Sequence, residues 1–142
     1  MNFLQTLQIG LKKGFKTSLY LARILLPFYF LMELLKGSII LSYISKIFAP
    51  LMKYFGLPGE AALAFAAGNL INLYAALAIM IPLNLDWKQI SVMGLMLGIA
   101  HNVVVEGAIL KEMGTKYIFL TLARFVLALF AGITVYRIMQ VF

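Results

Sequence analysis

Cysteine is absent from the 142-residue sequence, which removes thiolate zinc sites, iron–sulfur clusters, disulfides and cysteine nucleophiles from consideration. Charge is sparse at 12%, and acidic charge sparser still, with five Asp and Glu against twelve Lys and Arg. One histidine and five carboxylates leave a transition-metal centre short of ligands. No Walker loop, Gly-rich dinucleotide turn, HExxH pair or serine elbow occurs. No enzymatic activity, metal or cofactor is expected.

What is present is apolar. The hydrophobic share is 63% and the mean hydropathy +0.98, well above the share of about one half typical of soluble domains. The predicted class is an all-α integral membrane protein. At about 20 residues per crossing helix, a single transmembrane domain over residues 1–142 holds about four spans. Interfacial or re-entrant amphipathic helices fit between them, and no soluble catalytic domain does. The net charge of +7 would point to nucleic acid in a soluble chain. Here, apart from Lys12, Lys13 and Lys16, the cations stand singly at the ends of apolar runs. Membrane lipid is therefore the expected partner and nucleic acid is not. The opening MNFLQTLQIG lacks a basic start and a small-residue cleavage site, so the first residues are expected to stay in the mature protein.

Residues 57–82, LPGEAALAFAAGNLINLYAALAIMIP, are long and apolar enough to cross a bilayer, yet carry Gly68, Asn69 and Asn72 near the middle. A buried amide without a partner loses roughly 2 kcal/mol or more, so polar groups at this depth face other helices, a cavity or a ligand. Ala64, Gly68, Asn72 and Ala76 recur every four residues, a row of small side chains that lets another backbone approach. Two readings stand: a helix-packing seam, or a helix broken at Gly68-Asn69 whose freed groups line a solute path.

The rest of the chain frames this stretch. Residues 2–16 read as a short interfacial helix or the flank of the next span. Residues 17–35 form a strong span with Arg23 near its start and Pro27 near its middle, where the missing N–H predicts a kink. Residues 37–55, interrupted by Ser42, Ser45, Lys46, Pro50 and Lys53, predict an interfacial or re-entrant helix. A turn at 56–59 follows, then Glu60 in the first turn of the next helix. Asp86 is an N-cap candidate beside the interfacial Trp87. Residues 90–110 hold Gly94 and Gly98, then His101, Asn102 and Glu106; a last span at 116–139 carries Arg124.

His101, Asn102 and Glu106 are the densest polar cluster. Asn102 and Glu106 share a helix face. A proton relay is one reading, since His titrates near neutral pH; a structural Glu106–Arg124 or Glu106–His101 pair is the other. Arg23 and Arg124 beside a broken helix would favour an anionic solute. With four spans and the N-terminus inside, lysines and arginines divide five against five. Such balance gives no orientation and permits insertion both ways.

The features GLKKGF at 10–15, an Arg- and Pro-containing first span, an amphipathic segment, and GLP before an apolar helix with a small-polar break resemble the nucleoside recognition, or Gate, domain. HNVVVEG at 101–107 is similar to the tail of short members. Such domains occur in spore maturation proteins, ferrous-iron transporters and nucleoside transporters. The resemblance implies a multi-pass cell inner-membrane protein connected with solute movement, working as a homodimer or with a related Gate subunit. Departures from it are Gly68-Asn69-Leu70-Ile71-Asn72 in place of a Ser-Gly-rich break, and the lack of gate cysteines and of a GTP-binding domain, which argues against iron. The expected function is a small transporter or half-transporter for a polar or anionic, nucleoside-like solute. Asn69, Asn72, His101, Asn102, Glu106, Arg23 and Arg124 are its expected solute-binding residues, and Gly68, Pro27 and Gly98 its helix breaks. The alternative is a non-transporting membrane scaffold.

Overall fold

The computed structural model describes residues 3–141. Among them every regular element is helical: α1 (Phe3–Leu35), α2 (Ile39–Met52), α3 (Ala61–Leu70), α4 (Leu73–Met80), α5 (Trp87–Ile99), α6 (Val103–Glu112) and α7 (Tyr117–Met139). Short 3-10 turns at Lys53–Phe55 and Ile81–Leu83 complete the set. The all-α membrane class follows directly, and the outer faces are apolar, with Phe30, Leu34, Phe119 and Phe130 all exposed.

Among the described residues three stretches, rather than about four, have the length and hydropathy of a crossing: Gln5–Leu35, Trp87–Glu112 and Tyr117–Met139. The missing fourth is the 57–82 stretch, which folds back on itself. A Cβ built on Gly68 would lie 3.1 Å from the Cβ of Ala76, whereas eight residues along one helix span about 12 Å. α3 and α4 are thus a re-entrant hairpin turning at Ile71–Asn72, and the small residues spaced by four form its inner seam. Ala64, Ala75, Ala76 and Ala78 are completely buried there.

α1 also departs from the sequence reading. The separate short helix expected at 2–16 (Asn2 lies outside the described residues) is continuous with the first span. Pro27 sits inside that helix without ending it. One lost hydrogen bond is cheaper in lipid than a terminus exposing several unpaired backbone groups at several kcal/mol each. α2 is an amphipathic helix of 14 residues, about 21 Å long against a hydrocarbon core of about 30 Å, as its interfacial reading requires. Ser38 caps it, accepting from the Leu41 N–H at 3.2 Å.

The core lies where α5 meets α7 and the hairpin. Val92, Met93, Met96 and Leu97 of α5 are buried in one cluster with Phe55 and the hairpin residues Ala64, Ala75 and Ala76. Gly132 permits the α5–α7 approach, since a Cβ there would sit 2.6 Å from the Met96 sulfur. Asp86 caps α5 by accepting from the Gln89 N–H at 2.8 Å, and the Gln89 side chain returns to the Asp86 N–H at 3.0 Å, a complete capping box. With three crossings, Lys12, Lys13, Lys16, Lys111 and Lys116 fall on one face, and Lys36, Lys46, Lys53, Lys88 and Arg137 on the other. The balance is again five against five, and an odd number of crossings would put Lys12–Lys16 and Arg137 on opposite faces.

Candidate functional site

Two interrupted helices meet in the interior. The first break is the hairpin turn. Ile71 and Asn72 both donate their N–H to Ala67 O, at 2.9 and 3.1 Å. Asn72 adopts an extended conformation and its Oδ1 accepts from the Ala75 N–H at 2.8 Å, so it caps α4. The second break separates α5 from α6. Ala100 is extended and Asn102 left-handed, with φ of 52°, a conformation Asn tolerates better than most residues. The breaks are joined by one hydrogen bond, from the Asn102 N–H to Gly68 O at 2.9 Å.

Each break carries an amide oxygen with no partner. Asn69 is 5% exposed; its Nδ2 donates to Phe65 O at 2.8 Å, while its Oδ1 is buried and unpaired. Asn102 Oδ1 is likewise buried and unpaired. An orphaned buried acceptor costs about 1–3 kcal/mol, and native proteins keep few of them without a reason. Both atoms are closed off from outside.

Around the second break lies a charged cluster. His101 Nδ1 faces Leu97 O at 2.9 Å, which places the ring proton on Nδ1 and leaves Nε2 4.0 Å from Glu106 Oε1. Arg124 of α7 pairs with Glu106 Oε2. Its Nε and Nη2 also donate to Ile99 O, at 3.1 and 2.9 Å. Arg124 therefore closes the C-terminal end of α5, where a cation suits the dipole, while Glu106 ties α6 to α7. Glu106 thus pairs with Arg124 and lies beside His101.

The structure thus brings Asn69, His101, Asn102, Glu106 and Arg124 to the paired breaks. Asn72 stands at the hairpin turn as a cap. Arg23 is exposed on α1 and forms none of these contacts. The breaks themselves fall a few residues after the glycines expected to make them. Gly68 lies inside α3, where a Cβ would collide with Leu97 Cδ2; its part is close packing and a carbonyl. Gly98 lies inside α5, and Pro27 breaks nothing. Sequence reasoning missed the backbone carbonyls of Gly68, Leu97 and Ile99, which no side-chain pattern announces. It also missed the reversal at Asn72, whose signal was an Asn heading a new apolar run, as Asn102 does thirty residues later.

Comparison with known proteins gives a family match: the Gate model, described as nucleoside recognition, covers residues 18–141. The chain is also similar to an uncharacterized membrane protein, YvoD, of Bacillus subtilis (strain 168). Identity is 33% over 107 residues, covering 75% of this chain and 34% of that protein. The chain therefore spans about a third of that relative's length. No solved structure matches.

Proposed function

The chain belongs to the Gate, or nucleoside recognition, family, and from that premise we propose that it is a small multi-pass transporter or half-transporter of the cell inner membrane. Its solute is polar and nucleoside-like, and it acts with a second copy or a related Gate subunit. The observation that carries this reading is the meeting of two helix breaks with two unpaired buried oxygens, Asn69 Oδ1 and Asn102 Oδ1. Both are acceptors, so the group that satisfies them is a hydrogen-bond donor, such as a hydroxyl or amino group. The anion preference has less to rest on: Arg23 forms no hydrogen bond or ion pair with the breaks among the described residues, and Arg124 is occupied by Glu106 and Ile99 O.

Passage requires the breaks to part. The Asn102–Gly68 bond is the link to undo, at a net cost of about 1 kcal/mol. α3 and α4 then move as one hairpin against α5, α6 and α7, in the manner of paired discontinuous helices.

The natural absence of cysteine makes the test direct. Asn102→Cys in proteoliposomes is expected to react with a water-soluble thiol reagent, and a nucleoside added in excess is expected to slow the labelling. Uptake of radiolabelled nucleoside by the unmodified protein is expected to fall at least tenfold in Asn69→Ala and Asn102→Ala. An Asn102→Cys thiol that no aqueous reagent reaches from either side, together with unchanged uptake in the alanine variants, would leave the polar residues as helix glue and favour the scaffold reading.

A further inference from the structure

A second polar recess lies away from the breaks, on the face where α2 ends and α7 ends. It has a volume of about 460 Å³ and is lined by Pro50, Lys53, Tyr54, Tyr136, Arg137 and Gln140. We infer that this recess holds the phosphodiester headgroup of an anionic phospholipid.

The recess is built rather than incidental. Gly56 adopts φ of 67°, and a Cβ there would overlap the Tyr136 ring, so the ring lies directly on the glycine. Gln89 of α5 donates to Gly56 O at 2.9 Å, fixing the turn from its other side. Lys88 donates to Met139 O at the end of α7. Three elements distant in sequence are thereby locked around one opening.

Its charge is positive and free. Lys53 and Arg137 are exposed and form no ion pair among the described residues; the lysine and arginine ion pairs found there are Lys36–Glu33 and Arg124–Glu106. The ends of α2 and α7 each contribute roughly −0.5 charge. Against these stand Lys53, Arg137 and Lys88, the last placed on the α7 end itself, and the balance stays positive. Asp86, the acid beside Lys88, is committed to the α5 cap. A guanidinium, an ammonium, two phenols and an amide form a donor set suited to phosphate oxygens.

A lipid, rather than a free phosphate, is favoured by what adjoins the recess. Ile47 and Leu51 on α2 and Ile138 on α7 are 66%, 48% and 54% exposed, an apolar border along which acyl chains can run. Trp87 and Tyr54, exposed at the same end, are side chains typical of the headgroup level. Lysine and arginine at that level attract anionic lipid.

The test uses the full chain in detergent, titrated with phosphatidylglycerol or phosphatidylcholine and read by native mass spectrometry. Phosphatidylglycerol is expected to bind in preference to phosphatidylcholine and to resist displacement by millimolar inorganic phosphate. The double variant Lys53→Gln/Arg137→Gln is expected to weaken that binding about thirtyfold, the value for two headgroup-facing cations. The charge-matched variant Lys46→Gln/Lys111→Gln, outside the recess, is expected to leave it within about twofold. Gly56→Ala, which displaces Tyr136 without altering charge, is expected to weaken it too. Equal binding of both lipids, or equal weakening in both double variants, would overturn the assignment. Displacement by inorganic phosphate would overturn the lipid in favour of a free anion.

Discussion

Arg124 and Glu106 form a pair, and the two partners are not equivalent. Glu106 touches Arg124 and sits 4.0 Å from His101, whereas Arg124 also donates twice to Ile99 O. Arg124→Gln removes a charge-assisted bond worth roughly 1.5–3 kcal/mol and strips Ile99 O of its donors, costing a further 1–3 kcal/mol or so. Side-chain exposures of 39% and 30% place both at the low end, for a loss of about 3 kcal/mol. Glu106→Gln keeps an amide oxygen for Arg124 and leaves Ile99 O satisfied, so its loss is about 1 kcal/mol. The exchange Glu106→Arg/Arg124→Glu recovers little, because a carboxylate at 124 has no N–H for Ile99 O and faces the negative end of α5. Titration with SDS in mixed micelles measures the three losses. Equal losses for the two single variants, or full recovery in the exchange, would refute this account of the cluster.

Two further outcomes follow from the packing and the topology. Gly132→Val drives a side chain into Met96, whose sulfur lies 2.6 Å from the built Cβ, and Phe55 at 3.0 Å. It should cost about 1–3 kcal/mol in the same titration, with partial recovery on adding Met96→Ala. Epitope tags at the two ends should be reached from opposite faces of the membrane, as three crossings require; tags reached from the same face would restore an even number of spans.

The apolar runs, the amphipathic α2, the Asp86 cap and the concentration of polar residues near the middle were legible because each rests on local composition or on one residue's hydrogen-bonding habit. The hairpin was not. A row of small residues every four positions looks the same on a straight helix packed against a neighbour and on two half-helices packed against each other. Only the reversal at Ile71–Asn72 separates them, and neither residue is a Gly or Pro. Pro27 marks no helix end for the opposite reason: in lipid, backbone satisfaction outweighs a single missing donor. Glu106–Arg124 was legible only as one of the pairings open to Glu106. The anchoring of Arg124 on Ile99 O was not, since its partner is a backbone atom exposed by a break whose position depends on tertiary packing.

The hydrogen bonds at the breaks form a connected path. Gly68 O accepts from the Asn102 N–H, Asn102 O accepts from the Glu106 N–H at 2.9 Å, and Glu106 holds Arg124. Moving the hairpin therefore pulls first on the turn preceding α6, and α7 follows only if the ion pair holds. Parting the breaks loses one backbone bond of about 1 kcal/mol net. A solute offering donors to Asn69 Oδ1 and Asn102 Oδ1 regains about 1 kcal/mol at each. The surplus of about 1 kcal/mol shifts the open form about fivefold, enough to bias a two-state element without trapping it. A solute without donors gains nothing at these atoms and leaves the closed arrangement favoured. On this arithmetic the proposed transport would take its selectivity from the two orphaned oxygens, and the charged cluster would set how far the movement spreads.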